Sequence, residues 1–419
     1  MTAKGAALKF ITLLAGCVCA CPSYAQDQDA DQTYAQHNVI DIFEPRVTGD
    51  LRLRYQTIES DIFTNFGEAL TLRFLGAFEA KLFDKTYALA EVETVTALID
   101  NYNDGTGIAG QFPFIPDPDG VELNRLQLIS EVIPKTRITA GRQRIALDDW
   151  RFIGAFPFRQ NGQSIDALRV ETKALLSGNL DVGYLNKVRR PLGGNNPNGV
   201  FSGDSFYLNY NKGTPFGRFS AFHYALDLEA GSSAASRQYA SSKTTGVRLL
   251  GRRDWDNLSI VWEGSYARQS DYANSPRKYA ADYALLELSF KPGSFDFRVR
   301  TEILGSDNGH AVQTPLASLH RFQGLADKFL VTPDEGVRDY SLLGRYSFGP
   351  IGQFSNVETF ARHHWFQADT NGRSYGRELD LSVKAKLNKT NFAIEYANYH
   401  AKSFSRDTKA LFLTTEISF

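Results

Sequence analysis

Polar and apolar residues alternate along most of this chain. Leu379, Leu381, Val383, Ala385 and Leu387 interleave with Asp380, Ser382, Lys384 and Lys386. Phe295, Phe297, Val299, Thr301 and Ile303 interleave with Asp296, Arg298, Arg300 and Glu302. The same holds for Leu51, Leu53 and Tyr55 around Arg52 and Arg54, and for Leu70, Leu72, Phe74, Gly76 and Phe78 around Thr71, Arg73, Leu75, Ala77 and Glu79. In the last stretch, Leu411, Leu413, Thr415, Ile417 and Phe419 share one side; Ala410, Phe412, Thr414, Glu416 and Ser418 share the other. A period of two predicts strands, because a helix cannot hold alternate residues on one face. About eighteen such segments can be counted.

The connections between them alternate short and long. Short ones are expected at Asp84-Lys85, Pro134-Lys135, Ser177-Gly178, Asn211 to Gly217, Asp254 to Asn257, Pro292-Gly293, Gly349 to Gln353 and Asn388 to Thr390. Long ones are expected over Ile58 to Ala69, Ala97 to Val121, Ala146 to Gln163, Val188 to Ser202, Asp227 to Lys243, Gln269 to Ala280, Ser306 to Val337 and Gln367 to Gly376, with a shorter one over Lys402 to Asp407. In a soluble sandwich the apolar face would meet a core; in a membrane barrel it meets lipid and the charged face lines a lumen. Strict alternation of turn and loop favours the barrel, with both ends of the chain on the short-turn, periplasmic side. The fold class is all-β: a transmembrane antiparallel barrel of about eighteen strands, one domain over residues 46–419. Aromatics bracket the short turns (Phe83 and Tyr87, Phe290 and Phe295, Phe348 and Phe354, Phe392 and Phe419), where an interfacial girdle belongs. A final Phe is also typical of the closing strand of bacterial outer-membrane barrels, which this segment resembles.

Composition agrees. Phe reaches 30, Tyr 19 and Gly 34, yet no apolar run is long enough for a membrane helix. Met1 to Ala25 carries Lys4 and Lys9 and no acid, then the apolar run Phe10 to Ala20, and Ser23-Tyr24-Ala25 offers a cleavage site; it reads as a secretory leader. Leu14-Ala15-Gly16-Cys17 also has the form of a lipoprotein box. Residues 26–45 read as a short periplasmic extension. Cys17, Cys19 and Cys21 all lie in the leader, so cleavage after Ala25 leaves no thiol for a disulfide or a metal. The formal charge is −1, and loss of Lys4 and Lys9 takes it to −3, which argues against nucleic acid as a partner.

No enzyme is expected. The seven histidines form no His-x-x-x-His pair, His363 and His364 fall on opposite faces of a strand, and there is no phosphate loop. No cofactor or metal is expected either. The chemistry lies in the lumen. On the strand phases above, Arg52, Arg54, Arg73, Arg125, Arg169, Arg248, Arg298, Arg300, Arg345, Lys384 and Lys386 face inward with Glu79, Glu131, Glu171, Glu263, Glu287, Asp296, Glu302, Asp380, Glu395 and Glu416. An eighteen-strand barrel leaves an aqueous bore, and arginines are suited to gripping carboxylates. The plainer reading is that such pairs only brace the wall.

Two stretches carry a family resemblance. Gly141-Arg142-Gln143, then Asp148-Asp149-Trp150-Arg151-Phe152-Ile153-Gly154, Arg159-Gln160-Asn161 and Asp166-Ala167, resemble the signature region of the alginate export family of outer-membrane barrels. Phe322-Gln323-Gly324-Leu325-Ala326-Asp327, Thr332-Pro333 and Gly336-Val337-Arg338-Asp339 are similar to that family's late loop. The resemblance implies a monomeric eighteen-strand barrel with an inward-folded outer loop, and in its best-known members an arginine-rich bore that passes a polyuronate outward. This lumen instead mixes acids and bases.

The leading expectation is therefore an outer-membrane channel for polar, anionic organic solutes or sugar acids. Its partners would be the lipid bilayer, lipopolysaccharide and the outer-membrane assembly machinery. Export of an anionic polysaccharide and a structural or adhesive barrel are the other two readings. The loop Ala146 to Gln163 is the expected constriction. Arg142, Arg144, Asp148, Asp149, Arg151, Arg159, Asp166 and Arg169 are its expected solute-facing residues, and Arg298, Arg300, Lys384, Lys386 and Asp327 line the lumen. Changing Arg151 and Arg159 to Ala is expected to alter conductance without preventing assembly.

Overall fold

A computed structural model describes residues 45–105, 110–175, 177–229 and 241–419. The expected leader with its three cysteines, and the extension up to residue 44, lie outside the described residues.

The alternating segments form strands β1 (Arg46–Ser60), β2 (Gly67–Phe83), β3 (Thr86–Asn101), β4 (Gly120–Ser130), β5 (Thr136–Gln143), β6 (Ser164–Thr172), β7 (Asn179–Arg189), β8 (Val200–Thr214) and β9 (Gly217–Leu226). They continue as β10 (Ser242–Trp255), β11 (Leu258–Asp271), β12 (Ala280–Pro292) and β13 (Phe295–Leu304). A small hairpin of β14 (Ser306–Asp307) and β15 (His310–Ala311) follows, with a 3-10 turn at Leu319–Arg321. The wall resumes with β16 (Val337–Ile351), β17 (Phe354–Gln367), β18 (Ser374–Leu387), β19 (Thr390–Ala401) and β20 (Thr408–Ser418). Apart from the hairpin, each strand pairs antiparallel with its neighbours in sequence, in one 18-stranded sheet.

The sheet closes on itself. β1 pairs with β20 from Asp50 opposite Ser418 to Ser60 opposite Thr408. Gly49 and Phe419 exchange both backbone hydrogen bonds, at 2.7 and 2.9 Å. Closure leaves no unpaired edge, the condition for crossing hydrocarbon with strands. The side chains sort as the alternation requires. Phe74, Leu126, Leu286, Val299, Leu342 and Val383 are exposed on the outside, while Arg52, Arg73, Arg248, Glu263 and Glu287 are buried within. A continuous exposed apolar belt of this extent is tolerated only against lipid. Phe83, Phe290, Phe295, Phe348, Phe354 and Phe419 are exposed at the short-turn end, as a girdle should be.

Some boundaries move. Between β8 and β9 the connection shrinks to 215–216, because Asn211 to Thr214 stay in the ladder opposite Ser220 to Gly217. Their polarity does not break the strand, since the band edge is already wet. Likewise β1 and β2 extend until Ile58 pairs with Gly67, which shortens the loop between them to 61–66.

The apolar core of this barrel lies partly inside it. Ile145, Leu147, Phe152 and Ile153 from loop 144–163 pack with Val312, Leu316 and Phe329 from loop 305–336 against wall residues such as Tyr224, Tyr283 and Tyr399. Two long loops thus fold inward and build the site.

Candidate functional site

Loop 144–163 crosses the bore. Three non-glycine residues in it, Asp148, Trp150 and Phe156, have positive φ of 51°, 69° and 53°. Such backbone persists only where its surroundings hold it. At one end Asp148 accepts hydrogen bonds from Asn209 Nδ2 (2.6 Å) and Ser220 Oγ (2.7 Å) on β8 and β9. Phe152 then enters a ring cluster with Phe222, Tyr224 and Tyr283, at 5.4, 5.9 and 5.1 Å between centroids. At the other end Arg52 Nη1 donates to the carbonyls of Pro157 (2.9 Å) and Arg159 (3.1 Å). Gln160 Nε2 donates to Thr71 Oγ1 (2.8 Å), and the Gly162 amide to Glu93 Oε1 (3.0 Å). The loop therefore spans from the β8–β9 wall to the β1–β3 wall.

Loop 305–336 packs against it. Arg151 is 1% exposed; its Nε lies 2.7 Å from Glu302 Oε1 of β13, and its Nη atoms donate to Thr314 Oγ1 and Gln323 Oε1, both at 3.1 Å. Its guanidinium also lies 4.5 Å from the Phe322 ring centre. Arg159, buried as well, pairs with Asp327. His320 stacks on Phe158 at 3.4 Å and meets Asp327 Oδ1 through Nδ1 at 3.0 Å. The segment after Gly324 docks on β18 by backbone donors: the Ala326 amide reaches Glu378 Oε1 at 2.7 Å.

The expected site residues are dispersed. Arg151 and Arg159 are themselves buried and fasten the two loops, Arg151 through buried Glu302 and Arg159 through half-buried Asp327, so they do not line an opening. Arg142 and Asp166 are a correction. They pair at 2.7 Å on the outer side of the wall, in the same phase as exposed Leu126 and Leu168. Arg144 faces inward and shares Glu91 with Arg125. Asp148 anchors the loop, and Asp149 accepts from the Arg151 amide at 3.2 Å. Arg169 braces the wall through Asp181 (2.6 Å) and Glu171 (2.9 Å). Arg298 pairs with Asp296 and Glu287, and Arg300 with Glu287 and Glu302 at 3.1 Å each. Lys384 meets Glu395 at 3.0 Å, and Lys386 is buried in the wall.

Two cations escaped the sequence reading. Arg321, exposed at the end of the 3-10 turn, stands over Trp150 at 5.0 Å and so projects where the two loops meet. Arg362 is half-buried on the inward side of β17, opposite Asp380 and Leu343, in the surroundings of Glu287, Arg298 and Arg300. No ion pair holds either guanidinium among the described residues. The signal for Arg362 was blurred because Phe360, Arg362, His364 and Phe366 alternate with Ala361, His363 and Trp365, so both faces carry rings and cations. Arg321 directly precedes the Phe322-Gln323-Gly324 motif, yet only the fold places it beside Trp150.

The geometry can be set beside known proteins. No family model matches the chain, and no curated protein is similar to it. Solved structures are similar in fold. The outer-membrane protein OpdK of Pseudomonas aeruginosa superposes with a TM-score of 0.67 at 13% identity, over 89% of this chain and 98% of that one. OpdO of Pseudomonas aeruginosa gives 0.68 at 13%, over 90% and 98%. OccAB4 of Acinetobacter baumannii gives 0.66 at 14%, over 90% and 98%. OpdK has also been crystallised with vanillate. At these identities the likeness is one of fold. The barrel class expected from the alginate-export resemblance is found, whereas that particular family has no matching model behind it. What the comparisons establish is an eighteen-strand antiparallel barrel of the outer-membrane porin type.

Proposed function

We propose that this protein is an outer-membrane channel for small anionic organic solutes, carboxylates above all. The observation that carries the proposal is the division of labour among its inward arginines. Arg151 and Arg159 are neutralised in the packed loops. Arg321 and Arg362 keep no ion-pair partner among the described residues; Arg362 stands near Arg298 and Arg300, and Arg321 near Arg300 and Arg248. Cations not tied up in ion pairs along a narrowed aqueous route can meet a passing anion, and a guanidinium holds a carboxylate through two parallel hydrogen bonds. Trp150, stacked under Arg321, adds a ring face for the apolar part of such a solute. Vanillate, the ligand crystallised with OpdK, is a carboxylate of this size and kind.

Export of an anionic polysaccharide finds less support. The cations alternate with Asp149, Glu287 and Asp380, which repel a polyanion, and two packed loops stand across its route. The test is a planar bilayer containing the refolded protein. Under a salt gradient the reversal potential is expected to report anion preference, and vanillate is expected to block the current from either side. A cation-preferring channel that ignores vanillate would overturn the substrate class. Silence from a demonstrably folded barrel would move the weight to a structural or adhesive role.

A further inference from the structure

The charges that the wall turns outward at its long-loop end point to a second binding surface. Here Arg142 lies directly opposite lipid-facing Leu126, and Asp166 stands one step beyond lipid-facing Leu168 in the same phase of its strand. Lys187 lies directly opposite Asp166 on β7, and Arg189 opposite Ser164. Arg142 Nε meets Asp166 Oδ1 at 2.7 Å, and Arg189 Nη2 meets Asp166 Oδ2 at 3.4 Å. Lys187 is exposed and has no ion pair among the described residues. Three cations thus cluster at one carboxylate, which pairs with two of them. The next outward acid, Asp204, is engaged by the Tyr184 hydroxyl at 2.5 Å. Two other outward cations at this end are each balanced by one acid, Arg268 by Asp282 and Arg338 by Asp369, both at 2.8 Å, while Lys243, Arg377 and Lys409 stand singly on other strands among the described residues.

The position decides what such an excess can meet. Immediately below it the Tyr184 and Phe206 rings, 5.2 Å apart, face the apolar band with Leu168. The patch therefore sits at the outer-leaflet headgroup level, where surplus cations are stabilised by anionic headgroups. Arginine and lysine together at one point suit a phosphate. We infer that Arg142, Lys187 and Arg189 form a docking site for the phosphate of a phosphorylated glycolipid in the outer leaflet. The inference rests on the barrel being an outer-membrane protein, but not on what passes through its bore.

The test uses the full-length folded protein in detergent, titrated with a diphosphorylated glucosamine glycolipid and followed by native mass spectrometry. Three comparisons accompany it: the dephosphorylated glycolipid, inorganic phosphate as competitor, and the variant Lys187→Gln/Arg189→Gln. Bound phosphorylated glycolipid, weakened roughly tenfold in the double variant and not displaced by millimolar inorganic phosphate, is the expected result. Equal binding of the dephosphorylated lipid, or an unchanged affinity in the double variant, would overturn the site. Displacement by inorganic phosphate at equal affinity would also overturn it, showing a free-anion site and not a lipid one. Arg268→Gln, at a balanced pair, controls for loss of any outward charge. Channel recordings on the same preparation separate the two failures: a barrel that inserts and conducts yet binds no glycolipid sinks only this inference.

Discussion

Arg151 and Arg321 stand on the two loops that fill the bore, and they behave in opposite ways. Arg151 is enclosed, with Glu302, Thr314, Gln323 and the Phe322 ring around it. Arg321 is exposed and touches only the face of Trp150 among the contacts just described. A buried cation paired with a buried acid contributes little field and much geometry: removing one partner strands the other. An exposed cation in a water-filled throat contributes the reverse, a field that a passing ion feels. Charge inside a channel is therefore not evidence of selectivity until its burial is known.

The largest effect should come from breaking the enclosed member. Arg151→Ala leaves Glu302 with Arg300, at 3.1 Å, as its one ion-pair partner among the described residues, beside the Tyr283 hydroxyl and the Gln323 amide, and leaves the acceptors on Thr314 and Gln323 without their donor. A cost of about 3 kcal/mol to the packing of the two loops follows, at the lower end for a broken buried pair. Single-channel conductance should rise and become noisy, and loop 144–163 should become sensitive to protease. A conductance equal to that of the parent would contradict the staple role. Arg321→Ala with Arg362→Ala should do the opposite: the reversal potential moves toward zero selectivity and vanillate block weakens about tenfold, while thermal unfolding and protease resistance stay as they were. If the double change destabilised the loops and left selectivity intact, the contrast between the two kinds of arginine would be lost.

Arg159 sharpens the comparison through pH. Burial alone would raise the Asp327 carboxyl, but His320 and then Arg159 outweigh it and hold the group below the ordinary carboxylate range. A carboxylate depressed in this way contributes stability above its unfolded value, near 3.9, and loses it as pH falls through the lower folded value. The loop junction should therefore loosen only below about pH 4, seen as a rise in conductance. In Arg159→Ala the depression is smaller, so the rise should begin at a higher pH; an identical pH profile would remove Arg159 from the junction.

Much of the wall was legible in the sequence, and little of the site. Strands were readable because the period of two persists for whole segments such as Phe295 to Ile303, and turns because Asp84-Lys85 or Asn388-Lys389 leave no room for anything longer. Loop 146–163 was singled out by moderate length together with its cluster of Asp148, Asp149, Arg151 and Arg159, whereas nothing in the sequence marked the longer loop 305–336 as folding inward too. What failed was phase near the rim. In β6, Ile165, Ala167 and Arg169 form one face and Asp166, Leu168 and Val170 the other, so each face carries a charge and apolar residues. The period cannot say which faces lipid, because above the apolar band outward charge costs nothing. The bore-facing arginines failed for a different reason. Trp150 and Arg321 meet across a long stretch of chain, and no local pattern encodes a contact between two loops.

The smallest of the expected effects isolates the backbone from the charges. Gly324 has a φ of +82°, and a Cβ there would lie 2.5 Å from the Glu378 carboxyl group. The glycine is needed because the chain turns at this point to aim the Ala326 amide at Glu378 Oε1. Gly324→Ala should cost about 1 kcal/mol for the left-handed backbone and push the carboxylate away from the amide that it accepts. Because no guanidinium is lost, selectivity and vanillate block should remain those of the parent. Only the open-channel noise should rise, through looser docking of loop 305–336 on β18. A change in reversal potential without a change in noise would mean that this segment shapes the ion path itself, and that the division between fastening and field-setting residues is drawn in the wrong place.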